Sequence, residues 1–253
     1  MTKVTRELSY KEEGFIDELV ARGILKFGDF TLKSGRKAPF FLNLGDLASG
    51  EDLNILAEAY AELIHIYFCD ESGEPEFDVL FGPAYKGIPL AVAVAMYLYE
   101  TYNIKVRYSA NRKEVKDHGD VGDLLGAQIT PGTRVLIIED VTTSGKSISE
   151  VMPILEAHGA KVVGEVITLD RCERAEGTTD YALDVIEQKY GFPVHAIVTM
   201  EEVIKYLYDD KSEYERTVIT DDIYQKLQEY YDQYGGQPAA SESESPENND
   251  TPN

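Results

Sequence analysis

Residues 135 to 147 read VLIIEDVTTSGKS. An apolar run meets two carboxylates, Glu139 and Asp140, and continues into Val141, Thr142, Thr143, Ser144, Gly145, Lys146 and Ser147. Small residues let backbone N–H groups converge on an anion, and a helix starting there adds a favourable dipole. The hydroxyls of Thr142, Thr143, Ser144 and Ser147 can donate to phosphate oxygens. SGKS invites comparison with a nucleoside-triphosphate P-loop, but that motif needs glycine five residues before Gly145, and position 140 is aspartate. Carboxylates beside a phosphate loop need another partner. A ribose diol, which donates two O–H bonds, is one; magnesium held by ligand oxygens is a second. The parts therefore describe a site for a phosphorylated ribose. The plain alternative, a helix-capping turn with solvated acids, gives no reason for an acid pair directly after a buried strand.

Other residues fit a small polyanion. The formal net charge is −22, yet nine of the 24 Lys and Arg residues fall in segments 24–37 and 105–118. These include Lys33, Arg36, Arg112, Lys113 and Lys116, with His118 at the end of the second. A basic island on an acidic chain points to a local anion site, while the overall charge argues against nonspecific nucleic-acid binding. Tyr85-Lys86, flanked by Gly82 and Gly87, reads as a strand-to-helix turn. Arg171 offers a planar fork suited to a carboxylate, its alternative being a surface ion pair with Asp170 or Glu173.

The elements that must position these groups alternate. Helices are expected over about 11–22, 51–68, 88–102 and 181–190, and from the phosphate loop to about His158. Pro153 must kink that last helix, unless the helix starts near Ser149. Strands are expected at 78–81, 106–109, 134–138, 161–169 and 194–198. Residues 24–46 read as short irregular strands, and 111–125 as a mobile loop. Alternating strands and helices predict a doubly wound, mostly parallel α/β sheet, with ligands beyond the carboxyl ends of its strands. An amphipathic helix is expected over 221–234. Residues 236–253 are almost free of apolar side chains and read as a disordered acidic tail. No run approaches the roughly 18 apolar residues of a membrane span, and the first residues lack a secretory signal. Cys69 and Cys172 match no metal-ligand spacing, so a cytoplasmic protein with reduced thiols is expected.

Five stretches carry a resemblance to a known family: FGDFTLKSGRKAPFF at 27–41, LFGPAYKGIPLA at 80–91, NRKEVKDHGDVG at 111–122, IIEDVTTSGKS at 137–147 and TLDR at 168–171. In this order they resemble the type I phosphoribosyltransferases, and more narrowly the orotate phosphoribosyltransferases, over about residues 8–235. The resemblance implies a hood formed by about residues 24–46 on one phosphoribosyltransferase domain. It implies transfer of phosphoribosyl from phosphoribosyl pyrophosphate (PRPP) to orotate, with Mg²⁺ bound mainly through PRPP and pyrophosphate. It further implies a homodimer with shared sites, neither nucleic acid nor membrane being a partner.

By the same resemblance Lys33, Tyr85 and Lys86 meet PRPP, and residues 139–147 hold its ribose and 5′-phosphate. Arg112, Lys113, Lys116 and His118 meet pyrophosphate from a flap that closes over the site. Phe41, Leu42, Thr143 and Arg171 receive orotate. Lys116, His118 and Asp140 are the expected catalytic groups. Cations over a departing polyanion stabilise charge that develops only in the transition state. The chain departs from the family pattern at Leu42, Glu139, Ser144 and Lys146. A purine or uracil transferase is the first rival, disfavoured because those bases bring no carboxylate for Arg171. A non-catalytic PRPP sensor is the second, disfavoured by the net charge.

Overall fold

Side chains along a strand alternate between faces, so a strand apolar at every position must be covered on both. In the computed structural model this holds for the strands under the site. The structure describes residues 6–32, 35–46, 49–116, 122–141, 145–209 and 218–238. Strands β3 (Val79–Phe81), β4 (Arg107–Lys116), β5 (Gly122–Gly126), β6 (Arg134–Glu139), β7 (Lys161–Asp170) and β8 (Val194–Thr199) form one sheet, ordered β5-β4-β3-β6-β7-β8. Every pairing is parallel except that of β5 with β4.

Leu80, Leu136 and Ile138 face a core shared with helices α1 (Tyr10–Ala21), α2 (Gly50–Tyr67) and α3 (Gly87–Tyr102). Val79, Phe81, Val135 and Ile137 face the opposite core, with α4 (Lys146–Ala157) and α5 (Ala182–Tyr190). The sheet is thus doubly wound, as expected. Helix α6 (Met200–Asp209) and α7 (Asp221–Tyr234) join the first core through residues such as Val203, Leu207, Leu227 and Tyr231.

Strand order decides where ligands can enter. From β3 the chain goes to β4 on one side and then to β6 on the other, so the topology switches between β3 and β6. At such a point two loops diverge and leave a crevice beyond the strand ends. The loop after Phe81 and the acid pair after Ile138 both lie there.

Three expectations change, and one open alternative is resolved. The hood is a regular antiparallel hairpin, β1 (Leu25–Thr31) with β2 (Lys37–Leu42), interrupted by a register shift between Phe27 and Phe30. Residues 111–116 and 122–125, expected to be a loop, instead extend β4 and form β5, with Ala110 opposite Leu125 and Lys116 opposite Gly122. Their polarity reflects a sheet edge, where half the side chains face solvent. Of the two alternatives left open for the helix after the phosphate loop, the structure has the first: α4 starts at Lys146 and contains Pro153. The ordered chain also runs past residue 235. Gly236 N–H donates to the Cys172 carbonyl, and Gln237 N–H to that of Thr179. Of the expected tail, residues 239–253 lie outside the described residues.

Tyr60 of α2 is fully buried, and its hydroxyl donates to the Glu139 carbonyl at 2.7 Å. Its one hydrogen being used there, the contact with Thr168 Oγ1 at 2.6 Å has the threonine as donor. Tyr60→Phe leaves a buried carbonyl without this donor and should cost about 1–3 kcal/mol in urea unfolding. A loss below about 0.5 kcal/mol would show that the hydroxyl does not anchor β6.

Candidate active site

The crevice is built from two strand ends. After β3, Gly82 and Gly87 pass so closely that a Cβ on Gly82 would lie 2.0 Å from the Gly87 carbonyl oxygen. Only glycine permits that approach, and it brings Tyr85-Lys86 back over the crevice. The Ala84 N–H is held by Asn111 Oδ1 at 2.9 Å, which ties this turn to β4. Tyr85 is exposed, and Lys113 Nζ lies 5.4 Å from its ring centroid.

After β6, the two adjacent acids enter different environments. Glu139 continues the face of Val135 and Ile137, is only 6% exposed, and takes a hydrogen bond from Ser147 at the start of α4. Its Oε1 also accepts from the Asp140 N–H at 3.1 Å. Burial, then the neighbouring Asp140 charge, push its carboxyl up to about 7. The Asp140 carboxylate stays within hydrogen-bonding reach of the Glu139 carboxyl and also meets the crevice. Its Oδ1 accepts from the Val141 N–H at 2.8 Å, and its Oδ2 pairs with Lys86 Nζ at 2.9 Å. That pair spans the crevice from one strand end to the other. Gly145 then takes a left-handed φ of +64° to enter α4.

The other expected residues fall into two groups. Phe41 stacks on Phe30 at 5.6 Å and stays partly open, while Leu42 is half-buried against the core. Arg112 Nε donates to the Leu124 carbonyl across the β4–β5 hairpin. Arg171 is buried at the end of β7 and its Nε donates to Glu173 at 2.8 Å, so the ion pair foreseen at the surface is formed inside. Lys33, His118, Thr142, Thr143 and Ser144 lie outside the described residues. The side chains of Lys116 and Lys146 do too, although their backbones belong to β4 and α4.

Several residues at the site escaped the sequence reading. Tyr60 falls within the helix expected over about 51–68, where nothing local marks it as more than a core position. Asn111 stood inside a noted stretch without a role, and Arg36 and Tyr230 gave no signal of meeting Glu173. Two clefts, of about 480 and 520 Å³, include neither acid. The first lies between the hood and α7, lined by Phe30, Pro39 and Tyr230; the second lies along α1 and α2. Among the described residues no three His, Cys, Asp or Glu side chains are grouped to hold a metal, and no helix is long and apolar enough to cross a membrane.

Residues 51–201 match the family model described as the phosphoribosyl transferase domain. An orotate phosphoribosyltransferase of Lachnoclostridium phytofermentans is 54% identical over 227 residues, covering 89% of this chain and 97% of that protein. One from Clostridium botulinum (strain Alaska E43) is 50% identical over 228 residues, covering 90% and 98%. Among solved structures, an orotate phosphoribosyltransferase from Francisella tularensis superposes with a TM-score of 0.75 at 35% identity, covering 88% of this chain and all of that one.

The raised Glu139 carboxyl makes a pH prediction. Between the ordinary value of 4.5 and about 7 the folded state binds more protons at this group than the unfolded state. Its contribution therefore favours folding at low pH and is lost as pH rises through about 7. Glu139→Gln should gain stability relative to the parent by about 1–3 kcal/mol between about pH 5 and pH 8, read by urea unfolding at both. A difference independent of pH would mean that Glu139 ionises like an exposed carboxyl.

Proposed function

Because the chain belongs to the phosphoribosyltransferase family, and within it to the orotate phosphoribosyltransferases, we propose that it transfers phosphoribosyl from PRPP to orotate, giving orotidine 5′-monophosphate and pyrophosphate in pyrimidine biosynthesis. The observation that carries this reading is the meeting of Asp140, Lys86 and the start of α4 at the switch point between β3 and β6.

In this reading a ring nitrogen of orotate attacks the anomeric carbon. The carbon–oxygen bond to pyrophosphate breaks, and its electron pair leaves with pyrophosphate. Asp140, open to the crevice, accepts hydrogen bonds from the ribose hydroxyls. Glu139, buried beneath α4, holds the strand end through Ser147 and the Asp140 N–H. The N–H groups of residues 141–147 and the hydroxyls of Thr142, Thr143 and Ser144 take the 5′-phosphate, the Ser147 hydroxyl being given to Glu139. Lys86 exchanges part of its contact with Asp140 for pyrophosphate, joined by Arg112, Lys113, Lys116 and His118. Lys33 reaches the ligands from the hood, while Phe41, Leu42, Thr143 and Arg171 receive orotate. No covalent enzyme intermediate is needed, and orotate arrives deprotonated.

The donors fit magnesium held mainly by the ligand. Glu139 is buried and Asp140 is paired with Lys86, so the chain offers few free carboxylate oxygens, and phosphate oxygens supply the rest. Bound there, magnesium would neutralise charge on the departing pyrophosphate. A homodimer with shared sites is part of the proposal. Its support is the β4–β5 hairpin at the sheet edge and the exposed Met96 and Tyr99 on α3, which packs beside it. Cys69 and Cys172 are reduced thiols, which fits a cytoplasmic setting.

Loss of orotate absorbance on adding PRPP and Mg²⁺ should follow enzyme concentration. Turnover of another base without orotate would overturn the substrate assignment. Lys116→Ala should lower kcat by about 10²–10³-fold with little change in orotate binding; an unchanged kcat would remove it from catalysis. Mixed Lys116→Ala and Lys33→Ala chains should recover part of the activity. None recovered, with mixed dimers shown to form, would rule out shared sites.

A further inference from the structure

At the carboxyl end of β7, one buried carboxylate gathers groups from three parts of the chain. Glu173 is 5% exposed. Its Oε1 accepts from Arg171 Nε at 2.8 Å and from the Tyr230 hydroxyl at 2.6 Å. Its Oε2 accepts from Arg36 Nη2 at 2.6 Å. Arg36 belongs to the turn joining β1 to β2, Arg171 and Glu173 follow β7, and Tyr230 lies on α7.

The faces of both guanidinium groups are occupied as well as their edges. Arg171 lies over the Phe40 ring at 4.5 Å, and Arg36 over the rings of Tyr234 at 4.8 Å and Tyr230 at 5.5 Å. A planar cation bonded at its edge and stacked on its face has little orientational freedom left. Tyr230 stays a donor, since burial, then the Glu173 charge, push its phenol well above its ordinary value.

The energetics separate this arrangement from simple packing. Asp170, also buried, stands beside Arg171 as a second acid and uses its Oδ1 to accept the Cys172 N–H at 2.8 Å. A buried ion pair adds little net stability over an apolar replacement, so the gathering of Arg36, Arg171 and Tyr230 on Glu173 is poorly explained by stability alone.

We propose that Glu173 is a positioning residue for the acceptor base: it holds the Arg171 guanidinium in the orientation that meets the base's carboxylate, and couples that arginine to the hood through Arg36 and to α7 through Tyr230. This deepens the orotate reading and rests on it. The substrate carboxylate takes guanidinium N–H groups that Glu173 leaves available, while Glu173 keeps its contacts with Nε at 2.8 Å and Nη2 at 2.6 Å. Hood and C-terminal helix are thereby fixed to the same arginine.

Steady-state kinetics of the full-length enzyme test this, with KM measured separately for orotate and PRPP. Glu173→Gln keeps the shape and removes the charge; it should raise the orotate KM about tenfold and leave the PRPP KM within about twofold. Glu173→Asp should recover part of the loss. An orotate KM unchanged in Glu173→Gln, or both KM values raised alike, would overturn the positioning role. If Glu173→Gln does not fold, Tyr230→Phe decides: it deletes one hydroxyl and should raise the orotate KM about threefold, and no rise would overturn the proposal. Arg171→Gln separates the two readings. A raised orotate KM there with none in Glu173→Gln sinks the positioning role alone, whereas a parent enzyme that does not consume orotate removes both.

Discussion

The Tyr60 hydroxyl ties α2 to the ends of β6 and β7, through the Glu139 carbonyl and Thr168. Strand ends are where a sheet frays, because the last ladder bonds lack a neighbour beyond them. Here the last residue of β6 carries one acid of the site and precedes the other. A buried phenol bonded on both sides turns that end into a fixed point. The exposed Lys86–Asp140 pair contributes far less to stability, of order 0–1 kcal/mol. Its value is geometric: it holds opposite charges across the crevice, ready to part when a polyanionic sugar brings partners for both.

From that fixed point the different environments of two neighbouring acids follow. Alternation turns Glu139 toward α4 and Asp140 toward Lys86. One becomes a buried carboxyl of raised affinity for protons, engaged with the backbone and Ser147; the other is left for a ligand. The departure from the family pattern at Glu139 is therefore absorbed inside the fold, where the side chain reaches the helix start. The turn after β3 is fixed just as firmly, by the Gly82–Gly87 approach and by Asn111.

The far side of the site is organised by Glu173. The segment after β7 bridges to the end of α7 by backbone, Arg174 N–H to the Tyr234 carbonyl and Gly236 N–H to the Cys172 carbonyl. The hood reaches the Glu173 carboxylate through the Arg36 side chain. Aromatic rings from the hood and α7 support the two arginines, which explains why a tyrosine-rich helix so late in the chain packs against Phe40.

The sequence alone determined the alternation of strands and helices, the parallel sheet, the acid pair and the failure of the P-loop spacing, because these depend on local period and on residue identity at fixed offsets. The five resembling stretches carried the family, which the comparisons with known proteins then showed. The β4–β5 hairpin was misread as a loop, since a polar edge strand has no apolar period to announce it. Only the tertiary structure decided that Glu139 is buried while Asp140 is half-buried beside Lys86, and that Tyr60 is an anchor rather than one more core residue. It alone placed Arg171 inside, with a carboxylate shared by Arg36 and Tyr230. These outcomes depend on contacts between residues 27 to 137 positions apart, and no local pattern encodes which distant side chain will arrive. The physical reason is that burial and charge pairing are properties of the packed layers, while period and spacing are properties of the chain.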